Sequence, residues 1–178
     1  MRVLVAHASK HGATAGIAAR LADTLTGAGH EVTVDPVTDA GDPAGFDAVI
    51  VGSATYLGHW LKDATAYIRR HQESLVTLPV WLFSSGPLGA AKTDEEGTDP
   101  REASAPRELP ELLASVQPEE HRVFFGALDP QRLTLPERAL RKLPASRALF
   151  PDGDFRDWQD IEAWAAHIAA ELDQHNPL

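Results

Sequence analysis

The stretch "HASKHGATAGIAARLADTL", residues 7–25, decides the fold, because it joins a strand pattern to a helix pattern across six small and polar residues. Upstream, "RVLVAHA" (2–8) is short, β-branched and too apolar to be half exposed, which predicts a buried parallel strand. Downstream, "ATAGIAARLADTLTGA" (13–28) repeats its apolar residues at helical spacing and stops at Gly27 and Gly29. Ser9 to Thr14 therefore sits where a first strand ends and a first helix begins. Free backbone N–H groups and the positive helix end favour an anion there, Gly12 lets the backbone approach it, and Ser9 and Thr14 offer hydroxyl donors. The pattern is neither GxxxxGK[ST] nor GxGxxG. Taken alone, it is equally an ordinary tight turn with Thr as a helix cap.

The same alternation continues along the chain. "DAVIVGS" (47–53), "PVWLFSS" (79–85) and "HRVFFGA" (121–127) read as further buried strands, with Trp81 in the core. "HEVTVDPV" (30–37) alternates more and reads as an edge strand. Helix patterns cover 61–75, 105–116 and 156–175; in the last, Trp158, Ile161, Trp164, Ala165, Ile168 and Leu172 share one face. Five strands with intervening helices predict an α/β doubly wound parallel sheet of order 2-1-3-4-5, with right-handed crossovers and ligands at the carboxyl ends of the strands.

Composition narrows the function classes. At 178 residues and 43% hydrophobic, the chain is expected to form one domain, residues 1–178, with a core that needs no staples. It has no cysteine, which removes disulfides, thiolate metal sites and thiol nucleophiles, so redox chemistry requires a bound cofactor. A net charge of −10 repels a phosphate backbone and argues against nucleic acid. "DEEGTD" (94–99) lacks the histidines and spacing of a metal site and reads as a solvated loop. No signal peptide or membrane span is evident, and a cytoplasmic location is expected.

Two more loops fall at the same sheet edge. "GSATYLGHWLK" (52–62) brings Ser53, Ala54, Thr55, Tyr56, Leu57 and Gly58, and "SSGPLGAAK" (84–92) brings Ser84, Ser85, Gly86, Pro87, Leu88 and Gly89. Together with Ser9, Lys10, His11, Gly12, Ala13 and Thr14 they suit a planar heterocycle that carries one phosphate. These residues resemble the flavodoxin family. Ser9 to Thr14 matches its [ST]xxGxT loop for the FMN phosphate, and the other two loops match those that flank the isoalloxazine ring. The resemblance covers nearly the whole chain and implies a flavodoxin-like fold with FMN as cofactor.

Within that family, Gly58-His59, "FGALDP" (125–130) and "GDFRDWQDIEAWA" (153–165) are similar to menaquinone-dependent protoporphyrinogen oxidases, with an insertion at about 129–155 before the last helix. This implies an FMN-dependent oxidoreductase that passes electrons from a porphyrinogen to a quinone. The alternatives are a flavodoxin-type one-electron carrier serving a redox partner protein, and a non-catalytic member that binds flavin weakly. His59 is a weak candidate proton donor; a packing or hydrogen-bonding role is the blander reading. Residues 130–150 hold five basic residues and one acidic one, with Leu140, Leu143, Leu149 and Phe150 on a shared face. Peripheral membrane contact competes there with a lid packed on the sheet, which Pro136 and Pro144 favour by limiting any helix to about two turns. The sequence leaves monomer and homodimer both open.

Overall fold

A computed structural model describes residues 1–89, 93, 97–140, 142 and 151–175. Its sheet is built on β1 (Arg2–Ala8), β2 (Glu31–Pro36), β3 (Ala48–Tyr56), β5 (Val80–Ser85) and β6 (Glu120–Phe124), all parallel, in the spatial order β2-β1-β3-β5-β6. Counting parallel strands alone, this is the expected 2-1-3-4-5, with β2 at an edge. Between them lie α1 (Ala13–Gly27), α2 (Lys62–Arg70), α3 (Gln72–Leu75) and α4 (Leu109–Val116); α5 (Leu135–Leu140) and α6 (Trp158–His175) follow β6.

Strand periodicity explains the two cores. Successive side chains point to opposite faces, so Val3, Val5, Ile50, Trp81 and Phe83 pack with α1 and α6, while Leu4, Ala6, Val49, Val51 and Leu82 pack with α2, α3 and α4. On the first face Phe83, Phe124 and Trp164 meet edge to face with centroids 5.5 to 6.3 Å apart. Such pairs add about 0.5–1.5 kcal/mol each beyond the area they bury. Trp81 and Trp164 are both buried, as the sequence predicts.

Three local departures have physical causes. The expected helix at 61–75 breaks at His71 (φ −108°, ψ 19°), which separates α2 from α3. The helix expected from 105 starts at Leu109 instead, since Pro110 suits only a first turn. The fifth strand, expected over 121–127, leaves the ladder after Phe124. There the Gly86 N–H donates to the Phe124 carbonyl and the Gly126 N–H to the Pro87 carbonyl. Ala127–Leu128 (β7) then pairs antiparallel with Gly153–Asp154 (β8).

β3 also continues into an unforeseen hairpin, its Tyr56 and Thr55 pairing with His59 and Trp60 (β4). Leu57 (φ 52°) and Gly58 (φ 79°) are the two turn residues, both left-handed, as a tight type I′ hairpin demands. Glycine accepts this freely, whereas leucine is strained by about 1–2 kcal/mol. Among the described residues no helix is long and apolar enough to cross a membrane. Of the apolar and basic face expected in the insertion, residues 141 and 143–150 lie outside the described residues.

Candidate functional site

The β1–α1 connection supplies the floor of a cleft at the carboxyl edge of the sheet. Gly12 is the residue before the first helical turn, with φ +90°, and its N–H donates to Ser9 Oγ at 3.0 Å, which pins the loop. α1 has no side-chain cap and no acidic residue in its first turn, so its positive end is not neutralised locally. Thr14, in that turn, is fully buried and lines the cleft, and its Oγ1 has no hydrogen-bond partner. Thr55 Oγ1, at the end of β3, is likewise buried without a partner and lines the same cleft. A buried polar group left unpaired costs about 1–3 kcal/mol, so two at one cleft mark a place built for a ligand's polar atoms.

The remaining walls come from three other loops. Ala54, Thr55, Tyr56 and Leu57 stand on one side, Ser85, Gly86 and Leu88 on another, and Gly126, Ala127 and Leu128 close the end. Leu57 is 79% exposed, an aliphatic side chain held at the mouth by a strained turn. The combination of small, apolar and hydroxyl-bearing residues suits a flat ring with polar edges.

Over the β1–α1 loop lies the segment that carries α5. Glu137 Oε1 accepts from Lys10 Nζ at 2.5 Å and from the Tyr56 hydroxyl at 3.3 Å, and stands 3.4 Å from His11 Nε2. The Lys10 ammonium also lies 4.4 Å from the centre of the Tyr56 ring. Burial opposes ionisation of Glu137, yet Lys10, the Thr134 N–H and hydroxyl, and His11 outweigh it and hold the carboxyl at about 2. The hydrogen bond to Glu137 raises Lys10 in turn. Burial, reinforced by Glu137, raises the Tyr56 phenol.

The structure sorts the residues expected from sequence. Ser9, Lys10, His11, Ala13, Thr14, Ala54, Thr55, Tyr56, Leu57, Ser85, Gly86 and Leu88 meet at the cleft. Gly12 faces a neighbouring groove shared with Arg132 and Arg156. Gly58, Pro87 and Gly89 shape the loops without lining it: the Gly58 carbonyl accepts from Arg107 N–H and that of Pro87 from Gly126 N–H. Ser53 and Ser84 are turned inward and fully buried. Ser53 Oγ accepts from the Leu61 N–H at 3.0 Å, and Ser84 Oγ lies 2.8 Å from both Trp60 Nε1 and His121 Nε2. Both hydroxyls are thereby engaged within the protein.

His59 is outside the cleft, half exposed, with Nδ1 2.6 Å from Glu108 Oε1. Sequence reasoning missed Gly126, Ala127 and Leu128 as lining, and Glu137 altogether. The signal for Glu137 was present: Thr134-Leu135-Pro136-Glu137 has the spacing of a capping box. Among the described residues no group of three or more His, Asp or Glu is placed to hold a metal ion.

A doubly wound parallel sheet, with an uncapped helix end and orphaned hydroxyls at its carboxyl edge, defines a protein of the phosphate-bearing-cofactor class. A flavodoxin domain model matches residues 4–147, and the chain belongs to the flavodoxin domain family. Its fold is similar to a flavodoxin from the domain Archaea (16% identity, 97% of this chain and 99% of the other, TM-score 0.60). It is also similar to the flavodiiron core of Synechocystis sp. PCC6803 (16% identity, TM-score 0.63), covering 99% of this chain and 37% of that one. A third similar structure is the rubredoxin oxygen:oxidoreductase of Desulfovibrio gigas (14% identity, 97% and 36% covered, TM-score 0.61). No curated protein sequence matches. FMN is the cofactor that goes with this family, and the donor set fits it: the open α1 end and Thr14 suit its phosphate, and the loops at 54–57 and 85–88 suit its ring.

Proposed function

We propose that this chain is an FMN-binding electron carrier that exchanges electrons with a redox partner protein. The observation that carries the reading is the buried, unpartnered Thr14 hydroxyl at the uncapped start of α1, facing the cleft. Bound FMN supplies reversible electron transfer, and the protein's part is to hold and tune it. Thr14 and the first-turn N–H groups of α1 hold the phosphate, with Ser9 keeping Gly12 in its left-handed turn. Tyr56, Leu57 and Leu88 wall the ring and exclude water, and Thr55 Oγ1 is free to donate to its polar edge.

The quinone-linked oxidation of a porphyrinogen rests on the likeness of Gly58-His59, residues 125–130 and residues 153–165. Two observations weigh toward the carrier. His59, the candidate proton donor of that reaction, is bound to Glu108 away from the cleft. Residues 92–120 carry nine acidic and three basic side chains, whereas the resemblance to those oxidases implies a basic loop there.

The test is the visible spectrum after FMN loading and gel filtration, followed by anaerobic photoreduction. Retained flavin that is reduced in two separate steps, without turnover of porphyrinogen and quinone, supports the carrier. Reduction in one step with quinone-dependent turnover supports the oxidase. Failure to retain flavin at micromolar concentration overturns both.

A further inference from the structure

Glu137 belongs to a six-residue helix whose sequence explains only half of its contacts. Thr134 and Glu137 form the carboxylate half of a capping box: the Thr134 N–H and hydroxyl both donate to Glu137 Oε2 at 2.8 Å. That arrangement occupies one carboxylate oxygen. The other, Oε1, reaches 127 residues back along the chain to Lys10, and lies within 3.4 Å of His11 and Tyr56. Lys10 and His11 of this loop therefore face an anion supplied by the protein itself.

The same segment grips the loop a second time. His11 Nδ1 is 3.2 Å from the Arg132 carbonyl, and Arg132 Nη1 donates to the His11 carbonyl at 3.4 Å. The Arg132 guanidinium lies so close over Gly12 that any Cβ there would overlap it. Residues 132–137 thus straddle residues 10–12. The cleft beneath keeps about 110 Å³ of free volume, against the ~300–1,000 Å³ of pockets that enclose cofactor-sized ligands.

We infer that Glu137 is a built-in counter-anion of the phosphate loop and determines which flavin the site takes: a ligand's phosphate must displace this carboxylate from Lys10 and His11. The inference deepens the flavin-binding reading and rests on it for the identity of the ligand. A dianionic phosphate brought beside Lys10 meets a like charge until the segment moves away, whereas the same ring without a phosphate meets none. Wild-type protein therefore gains less from the phosphate of FMN, relative to riboflavin, than its donor set provides.

Glu137→Gln isolates the charge, because glutamine at this position still completes a capping box. The measurement is a calorimetric titration of wild type and E137Q with FMN, riboflavin and inorganic phosphate, with thermal melting to confirm that both are folded. The expected result is FMN binding about tenfold tighter in E137Q, equivalent to about 1.4 kcal/mol, phosphate binding also tighter, and riboflavin unchanged. Equal gains for FMN and riboflavin, as for a lid that blocks only the ring, overturn the assignment. So does FMN binding that is unchanged or weaker. If neither flavin binds either protein, the flavin reading fails, and the phosphate titration alone decides Glu137: a gain in E137Q upholds it, and no gain overturns it. Glu137→Ala, which removes the cap as well, provides the second variant; it must tighten phosphate at least as much as E137Q.

Discussion

Replacing Thr14 by valine separates a hydroxyl kept for a ligand from one kept for the fold. The side chain is fully buried, its Oγ1 has no partner, and valine has nearly its shape and helix propensity. Removing an unsatisfied buried hydroxyl relieves a desolvation cost of about 1–3 kcal/mol, so the flavin-free protein is expected to gain about 1 kcal/mol. In a chain of this size that raises Tm by about 2–4 °C. Loss of a hydrogen bond to a charged phosphate costs about 1.5–3 kcal/mol, which weakens FMN by roughly 10–150-fold. Differential scanning calorimetry of the flavin-free protein and fluorescence titration with FMN measure the two effects. The reasoning is refuted if T14V lowers Tm by several degrees and leaves FMN affinity untouched, because the hydroxyl would then serve the fold.

Three further outcomes are expected. Leu57→Asn, which places Asn-Gly in the type I′ turn, raises stability by about 0.5–1 kcal/mol in urea unfolding; a loss would show that the exposed leucine packs against something in solution. Gly52→Ala drives a Cβ into the Phe83 ring, which Phe124 and Trp164 hold in place, and costs at least about 1–3 kcal/mol; unchanged melting contradicts this packing. His121 is held neutral by burial, its pKa lowered to about 4 from 6.5. Between these values the unfolded chain takes a proton that the folded chain refuses, so stability falls as pH drops from 6.5 to 4. His121→Gln flattens that slope, with a remainder due to His7, which burial also lowers, and, towards pH 4, to Glu137 and Glu108, whose hydrogen-bonded carboxyls are held below their ordinary range; a slope identical to wild type removes His121 as its source.

Period and punctuation along the chain determined the strands, the helices and the position of the β1–α1 loop, and the doubly wound rule then supplied the strand order. β1, β3 and β5 are buried on both faces, so their apolar runs signal strand without any tertiary knowledge. Gly12 and Gly29 mark turns because their backbones take φ of 90° and 97°, a region that glycine enters without steric cost. The likeness of Ser9 to Thr14 to an FMN phosphate loop was legible for the same local reason. What composition and spacing do not encode is which way a side chain faces once its strand ends. Ser53 and Ser84 read as cofactor-binding residues, yet their hydroxyls turn inward, where Leu61 N–H, Trp60 and His121 need partners. His59 reads as a cleft residue, yet the hairpin turn at Leu57 and Gly58 carries it to Glu108. Glu137 shows the limit most sharply. Its bond to Thr134 spans three residues and follows from a local motif, whereas its bond to Lys10 spans 127 and exists only because the crossovers bring the α5 segment over the start of α1. Local dihedral and periodicity rules act over a few residues, and the charge that faces the β1–α1 loop is settled by packing across the whole sheet.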